Sequence, residues 1–158
     1  MSAAVPVQDA VYAALVADAA LTAWLAATTD DRRIYEVLAP AGKSLTRPDP
    51  DAPPDQPREL PHCYVTIGGG REGEFNMLCE PGYEDALDVR VWAPGTNERL
   101  AKQGHAHVRR VLDGAALPVD GHVTLSCRVG RMGTQTDPDR GATQAYAPVE
   151  VVASEVVP

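Results

Sequence analysis

Apolar and polar positions alternate most cleanly in Ala86-Leu-Asp-Val-Arg-Val-Trp92, where Leu87, Val89 and Val91 share one side and Asp88, Arg90 and Trp92 the other. A period of two marks a strand with one apolar face. Past the turn at Pro94-Gly95, Leu100, Gly104, Val108, Val111 and Leu112 recur at helical spacing, so a helix closes the same hydrophobic layer. Near the N-terminus, Val7, Val11, Ala14 and Leu15 place an apolar stripe on a helix, with Pro6 suited to its first turn. Asp18 falls where that stripe would continue. As a good N-cap it predicts a break and a second short helix from Ala19 to about Ala27, anchored by Leu21, Trp24 and Leu25; one kinked helix is the alternative.

Ile34-Tyr-Glu-Val-Leu38 reads as a short strand. Cys63, Val65 and Ile67 alternate with His62, Tyr64 and Thr66 in the next, which Gly68-Gly-Gly70 is expected to end as a flexible hairpin tip, with a protruding hairpin over 70–83. Further on, Val123, Leu125, Cys127 and Val129 form one apolar side, opposite Thr124, Ser126 and Arg128. A polar loop from Gly133 to Gly141 leads to a last strand through Ala145, Ala147, Val149 and Val151; Pro148 inside it argues for an edge position or a bulge. The pieces predict a two-layer α+β domain: a mainly antiparallel sheet of four or five strands with the helices packed on its apolar face.

Composition changes this picture in one region. Ala39 to Pro61 holds seven of the fourteen prolines, interleaved with Asp and Arg. Proline removes backbone donors and disfavours helix before it, so the segment is an extended loop or an arm laid on a neighbouring subunit. At 158 residues the chain is expected to form a single domain over 1–158. Its net charge of −8 argues against holding nucleic acid through its phosphates. No stretch is long and apolar enough to span a bilayer, and the N-terminus lacks the pattern of a secretory signal. Cys63, Cys79 and Cys127 read as reduced, packed thiols.

The side of the sheet away from the helices collects Tyr64, Thr66, Asp88, Arg90, Trp92, Ser126, Arg128, Tyr146 and Glu150. Aromatic rings and arginines beside carboxylates are the composition of protein–protein contacts, and cross-strand pairing on a solvated face is the plainer reading. From Asn97 to Asp113, Arg99, Lys102, Arg109 and Arg110 outnumber Glu98 and Asp113 by 4 − 2 = +2, on an otherwise acidic chain. Such a helix is either a solvated face or a surface that meets the acidic side of another copy. Candidate contact residues are therefore Arg90, Trp92, Arg128 and Tyr146 on the sheet, Arg71, Glu72, Glu74 and Phe75 on the hairpin, and Arg109 and Arg110 on the helix.

Catalytic and metal signatures are missing from the sequence. His62, His105, His107 and His122 are scattered, and His105 and His107 point different ways on a helix. There is no Cys-x-x-Cys, His-Glu-x-x-His or Gly-x-Ser-x-Gly, and the glycines at 68–70 are not followed by a phosphate-loop Lys. No cofactor or metal is expected.

Ala17-Asp-Ala-Ala-Leu-Thr-Ala23, Arg33-Ile-Tyr-Glu36, Pro61-His-Cys-Tyr-Val-Thr-Ile67, Leu87-Asp-Val-Arg-Val-Trp92 and a helix before Ala116-Leu117 follow in an order that resembles a family. It is that of the small tail-completion, or tail-to-head joining, proteins of long-tailed phages and gene transfer agents. The resemblance spans nearly the whole chain; the long proline segment departs from its shorter loop. It implies a tail terminator: a hexameric ring on the last ring of tail-tube protein that also meets the head–tail connector or stopper. It further implies no catalytic residues, DNA that passes through without specific binding, and a place in the virion neck after assembly in the host cytoplasm. Another neck component, such as a head-completion adaptor or stopper, or a soluble cellular binding module or enzyme, is the competing reading.

Overall fold

In the computed structural model, Asp18 caps a helix as its position predicts: its side chain accepts from Leu21 N at 2.7 Å. It separates α1 (Ala4–Ala17) from α2 (Ala19–Trp24). The structure describes residues 4–36, 39, 43–77 and 80–156, with the side chains of 70 and 74–81 excepted. Within the predicted strand at 34–38, β1 covers Ile34–Glu36; Val37 and Leu38 lie outside the described residues, as does Cys79.

The sheet is larger than the sequence pattern suggests. Besides β1 it contains β4 (Tyr64–Met77), β5 (Glu80–Pro94), β6 (His122–Val129), β7 (Gly133–Asp137) and β8 (Ala142–Glu155). Among the described residues its six strands run in the order β1-β4-β5-β8-β6, with β7 paired to β8 beside β6, and only the β1–β4 pair is parallel. The stretch expected as a polar loop at Gly133–Gly141 is thus mostly a strand: Gln135, Thr134 and Thr136 pair with Gln144, Ala145 and Thr143. A separate ribbon is formed by β2 (Thr46–Pro48) and β3 (Glu59–Pro61) inside the proline-rich segment, which is therefore not structureless.

α3 (Glu98–Leu112) and α1 cover one face of the sheet, burying Val7, Val11, Leu15, Val108 and Leu112 against Val65, Ile67, Leu87, Val89, Val91, Val149 and Val151. Gly104 lets α3 approach closely: a methyl group built there would lie 2.6 Å from Val91 Cγ1 and 2.6 Å from Trp24 Cζ3. At the C-terminal end of α3, Gly114 takes φ +78° and donates to Cys127 O, while the Asp113 carboxylate accepts from Val129 N at 3.0 Å. These bonds occupy part of the outer edge of β6, which would otherwise offer unpaired backbone groups.

Three further expectations are corrected. Gly68-Gly-Gly70 does not end its strand; β4 continues to Met77, and the glycines sit at a register shift between Gly68 and Arg71. There a bulge adds a residue and small side chains are tolerated. Val123 and Leu125 do not join Cys127 and Val129 in the core: they are 52% and 47% exposed. A second register shift, between Thr124 and Ser126, changes which side chains face inward, so Thr124 points to the helix layer and donates to Leu117 O at 2.7 Å. Finally, the edge position expected as one of two settings for Pro148 is excluded, since β8 sits between β5 and β6. Pro148 is tolerated because the β6 ladder stops at Val149 and the β7 ladder starts at Tyr146, so no strand donor is required of it.

Candidate functional site

The face of the sheet turned away from the helices is built by register. Thr66, Arg90 and Tyr146 form one row across β4, β5 and β8. Arg71, Ala86, Glu150 and Arg128 form another, extended to β6. Directly paired side chains share a face at a separation of about 5 Å, so Glu150 lies beside Arg128. Arg90 is 41% exposed and donates to the Asp88 carboxylate at 2.8 Å along its own strand.

Trp92 is in the same set but not on the surface. Only 6% exposed, it stacks on Tyr64 with ring centroids 6.0 Å apart and donates from Nε1 to Thr66 Oγ1 at 3.1 Å. The Arg140 guanidinium covers its ring at 5.2 Å. Tyr64, Trp92 and Ala142 make a second small cluster, packed by Tyr35, Ala39 and Leu45. Trp92 therefore supports this face from below. Tyr146 is half-buried, its ring lying over Gly133, where a methyl group would be 2.6 Å from Cζ.

The remaining candidates go elsewhere. Arg71 and Glu72 are exposed on β4, but Glu72 is opposite Asp85 and so belongs to the helix side. Glu74 and Phe75 pair with Tyr83 and Gly82; their side chains lie outside the described residues. β8 accompanies this hairpin as far as Gly82, which limits how far it protrudes. On α3, Arg110 meets the Asp18 carboxylate at 2.6 Å, holding that acid below its usual range, and Arg109 donates to Gly130 O at 2.6 Å. Lys102 pairs with Glu98 at 2.9 Å. The local excess of base read from the sequence is thus mostly satisfied within the subunit.

Two buried groups escaped the sequence reading. Arg33 is 2% exposed with φ +59°. Its Nε donates to Cys63 O at 3.1 Å, and its Nη2 donates to Ser44 O at 2.7 Å and to His62 O. Beside it, burial pulls the Asp31 carboxyl upward, but hydrogen bonds from Lys43, Tyr35 and the Arg33 backbone outweigh that and hold it at about 2. No periodicity announces this arginine. Asp85 is different, because it shares the parity of Leu87, Val89 and Val91 and is 1% exposed on the core side. Burial, then the nearby Glu72, pushes its carboxyl up to about 6 against the Ala86 backbone amide, and neither oxygen has a hydrogen bond of good geometry among the described residues.

Burial disfavours the charged form of the other titratable core groups. The Cys63 and Cys127 thiols are pushed up to about 11 by desolvation, and His105 is pushed down to about 4 by burial and then by Arg109. Among the described residues no three His, Cys, Asp or Glu side chains converge as a metal site, and no helix is long and apolar enough to cross a membrane.

The chain is thus a two-layer α+β domain with a charged sheet face and an appended ribbon. The chain is a member of the family described as tail completion protein gp17, which matches residues 9–153. It is accordingly a tail structural protein of a virion and not an enzyme. A similar fold occurs in a chain of a native gene transfer agent virion, with a TM-score of 0.71 over 93% of both chains at 19% identity. No curated protein sequence matches the chain.

Proposed function

We propose that this protein is a tail terminator, a subunit of a hexameric ring that caps the tail tube and joins it to the head connector or stopper. The observation that carries the reading is the outer face of the sheet. The helices cover the other side, while Arg71, Glu150 and Arg128 in one row remain exposed and Arg90 with Asp88 is half-exposed. A half-covered sheet with mixed charges is suited to packing against protein. Membership of the tail completion family supplies the setting. A net charge of −8 suits a channel that DNA must traverse without adhering.

Native mass spectrometry of the protein with and without its tail-tube protein tests this. The expected species is a six-subunit ring, formed alone or on the tube. A chain that stays monomeric at all concentrations with the tube present refutes it. Binding to the portal side with no affinity for the tube would instead favour an adaptor or stopper.

A further inference from the structure

The ribbon at Thr46–Pro61 is not explained by the domain's own packing. Among the described residues its strands pair only with each other, and residues 53–59 are all exposed. A two-stranded ribbon is marginal by itself in water. Yet it is firmly mounted. His62 N donates to Leu45 O at 2.7 Å, and Arg33 Nη2 binds the carbonyls of Ser44 and His62, one on each leg. Lys43, just before it, pairs with Asp31 at 2.7 Å. The ribbon therefore leaves the body in a set direction, at the β1–β4 edge of the sheet.

Its charge is one-sided. Arg47 and Arg58 stand against Asp49, Asp51, Asp55 and Glu59, which gives 2 − 4 = −2. Asp49 takes Arg58 at 3.3 Å, leaving Asp51, Asp55 and Glu59 exposed with no ion pair among the described residues. At the opposite edge, Arg128 on β6 and Arg131 just after it are exposed and likewise form no ion pair among the described residues.

We propose that the ribbon of one subunit docks on the β6–β7 edge of a second copy, with Asp51, Asp55 and Glu59 facing Arg128 and Arg131. The inference rests on the ring reading above and names the contact within it. The two surfaces differ and lie on opposite edges, so the contact is head-to-tail, the kind that closes into rings. An acidic arm is repelled by most of an acidic chain, and exposed arginines select where it lands. Arg33 is a positioning residue: it holds both legs and touches no partner.

Charge exchange tests the contact. One variant carries Asp51→Lys, Asp55→Lys and Glu59→Lys; a second carries Arg128→Glu and Arg131→Glu; a third carries all of them. Assembly is followed by sedimentation velocity, alone and with tail-tube protein. Each partial reversal should raise the concentration for half-assembly by roughly tenfold or more, and the full exchange should restore it to near wild type. The differences should shrink in about 0.5 M salt. Arg33→Lys should weaken assembly and open the ribbon to proteolysis while the helical circular dichroism is kept. Partial reversals that assemble like wild type, or a full exchange no better than either, overturn this contact and leave the ring reading standing. A wild-type chain that never self-associates, even on the tube, overturns both.

Discussion

Replacing Arg33 by methionine keeps much of the stem's bulk and removes the guanidinium. The carbonyls of Cys63, Ser44 and His62 then lose their charged donor, and Asp31 loses a cation 3.7 Å away. Hydrogen bonds to a charged group are worth about 1.5–3 kcal/mol each, which makes the simple sum an upper bound. Two effects reduce it: Ser44 is exposed and can be rehydrated, and burial of the guanidinium no longer costs anything. A loss of about 3 kcal/mol follows, within the range for breaking a buried charged network. For a chain of this size that lowers Tm by roughly 6–12 °C. Urea unfolding followed by circular dichroism measures it. The left-handed backbone supplies an internal control, because it costs a non-glycine residue about 1–2 kcal/mol. Arg33→Gly should therefore be less damaging than Arg33→Ala, because glycine relieves the left-handed strain that arginine and alanine both carry. A methionine variant within about 0.5 kcal/mol of wild type would refute the reasoning, since so small an effect is ordinary for a surface position.

Asp85→Val should stabilise the protein by about 1–3 kcal/mol at neutral pH and by less at pH 4. The sign follows from a folded-state carboxyl raised to about 6: between about 4 and 6 the native state holds the extra proton, so stability falls as pH rises through that window. Paired urea melts at the two pH values decide it, and an equal effect at both would show that the carboxylate is not strained. Gly104→Ala gains up to about 1 kcal/mol of helix propensity but overpacks Trp24 and Val91, at a cost of about 1–3 kcal/mol. A net loss is expected in thermal unfolding, relieved when Trp24 is truncated to Ala; a simple gain in Tm would contradict the close approach of α3. Arg90→Glu should weaken ring assembly while leaving Tm nearly unchanged, because the side chain is half-exposed and, among the described residues, pairs only along its own strand. Loss of the folded monomer would show that this face is structural.

Much of the framework follows from local chemistry that the sequence states directly. Asp18 separates two helices because its side chain satisfies a helix-end amide at short range. The alternation at 87–91 puts the same side chains in the core because strand parity is a local property. By that rule the burial of Asp85 was also legible, two positions before Leu87. Parity fails where register slips. The extra residue near Leu125 turns Val123 outward, and only the pairing partner in β8 decides where a bulge falls. Pro148 is tolerated in an inner strand because two other strands end and begin beside it, a coincidence of chain segments far apart in sequence.

The functional surface divides along the same line. Alternation along each strand suffices to say which residues share the outer face, including Arg90, Trp92 and Arg128. Tertiary structure alone decided that Trp92 is covered by Arg140 and Tyr64, and that Arg110 is engaged by Asp18. It alone revealed that Arg33 grips both legs of the proline-rich ribbon. Periodicity reports the direction of a side chain relative to its own element. Whether another segment lies in that direction depends on long-range packing, and no local pattern encodes it.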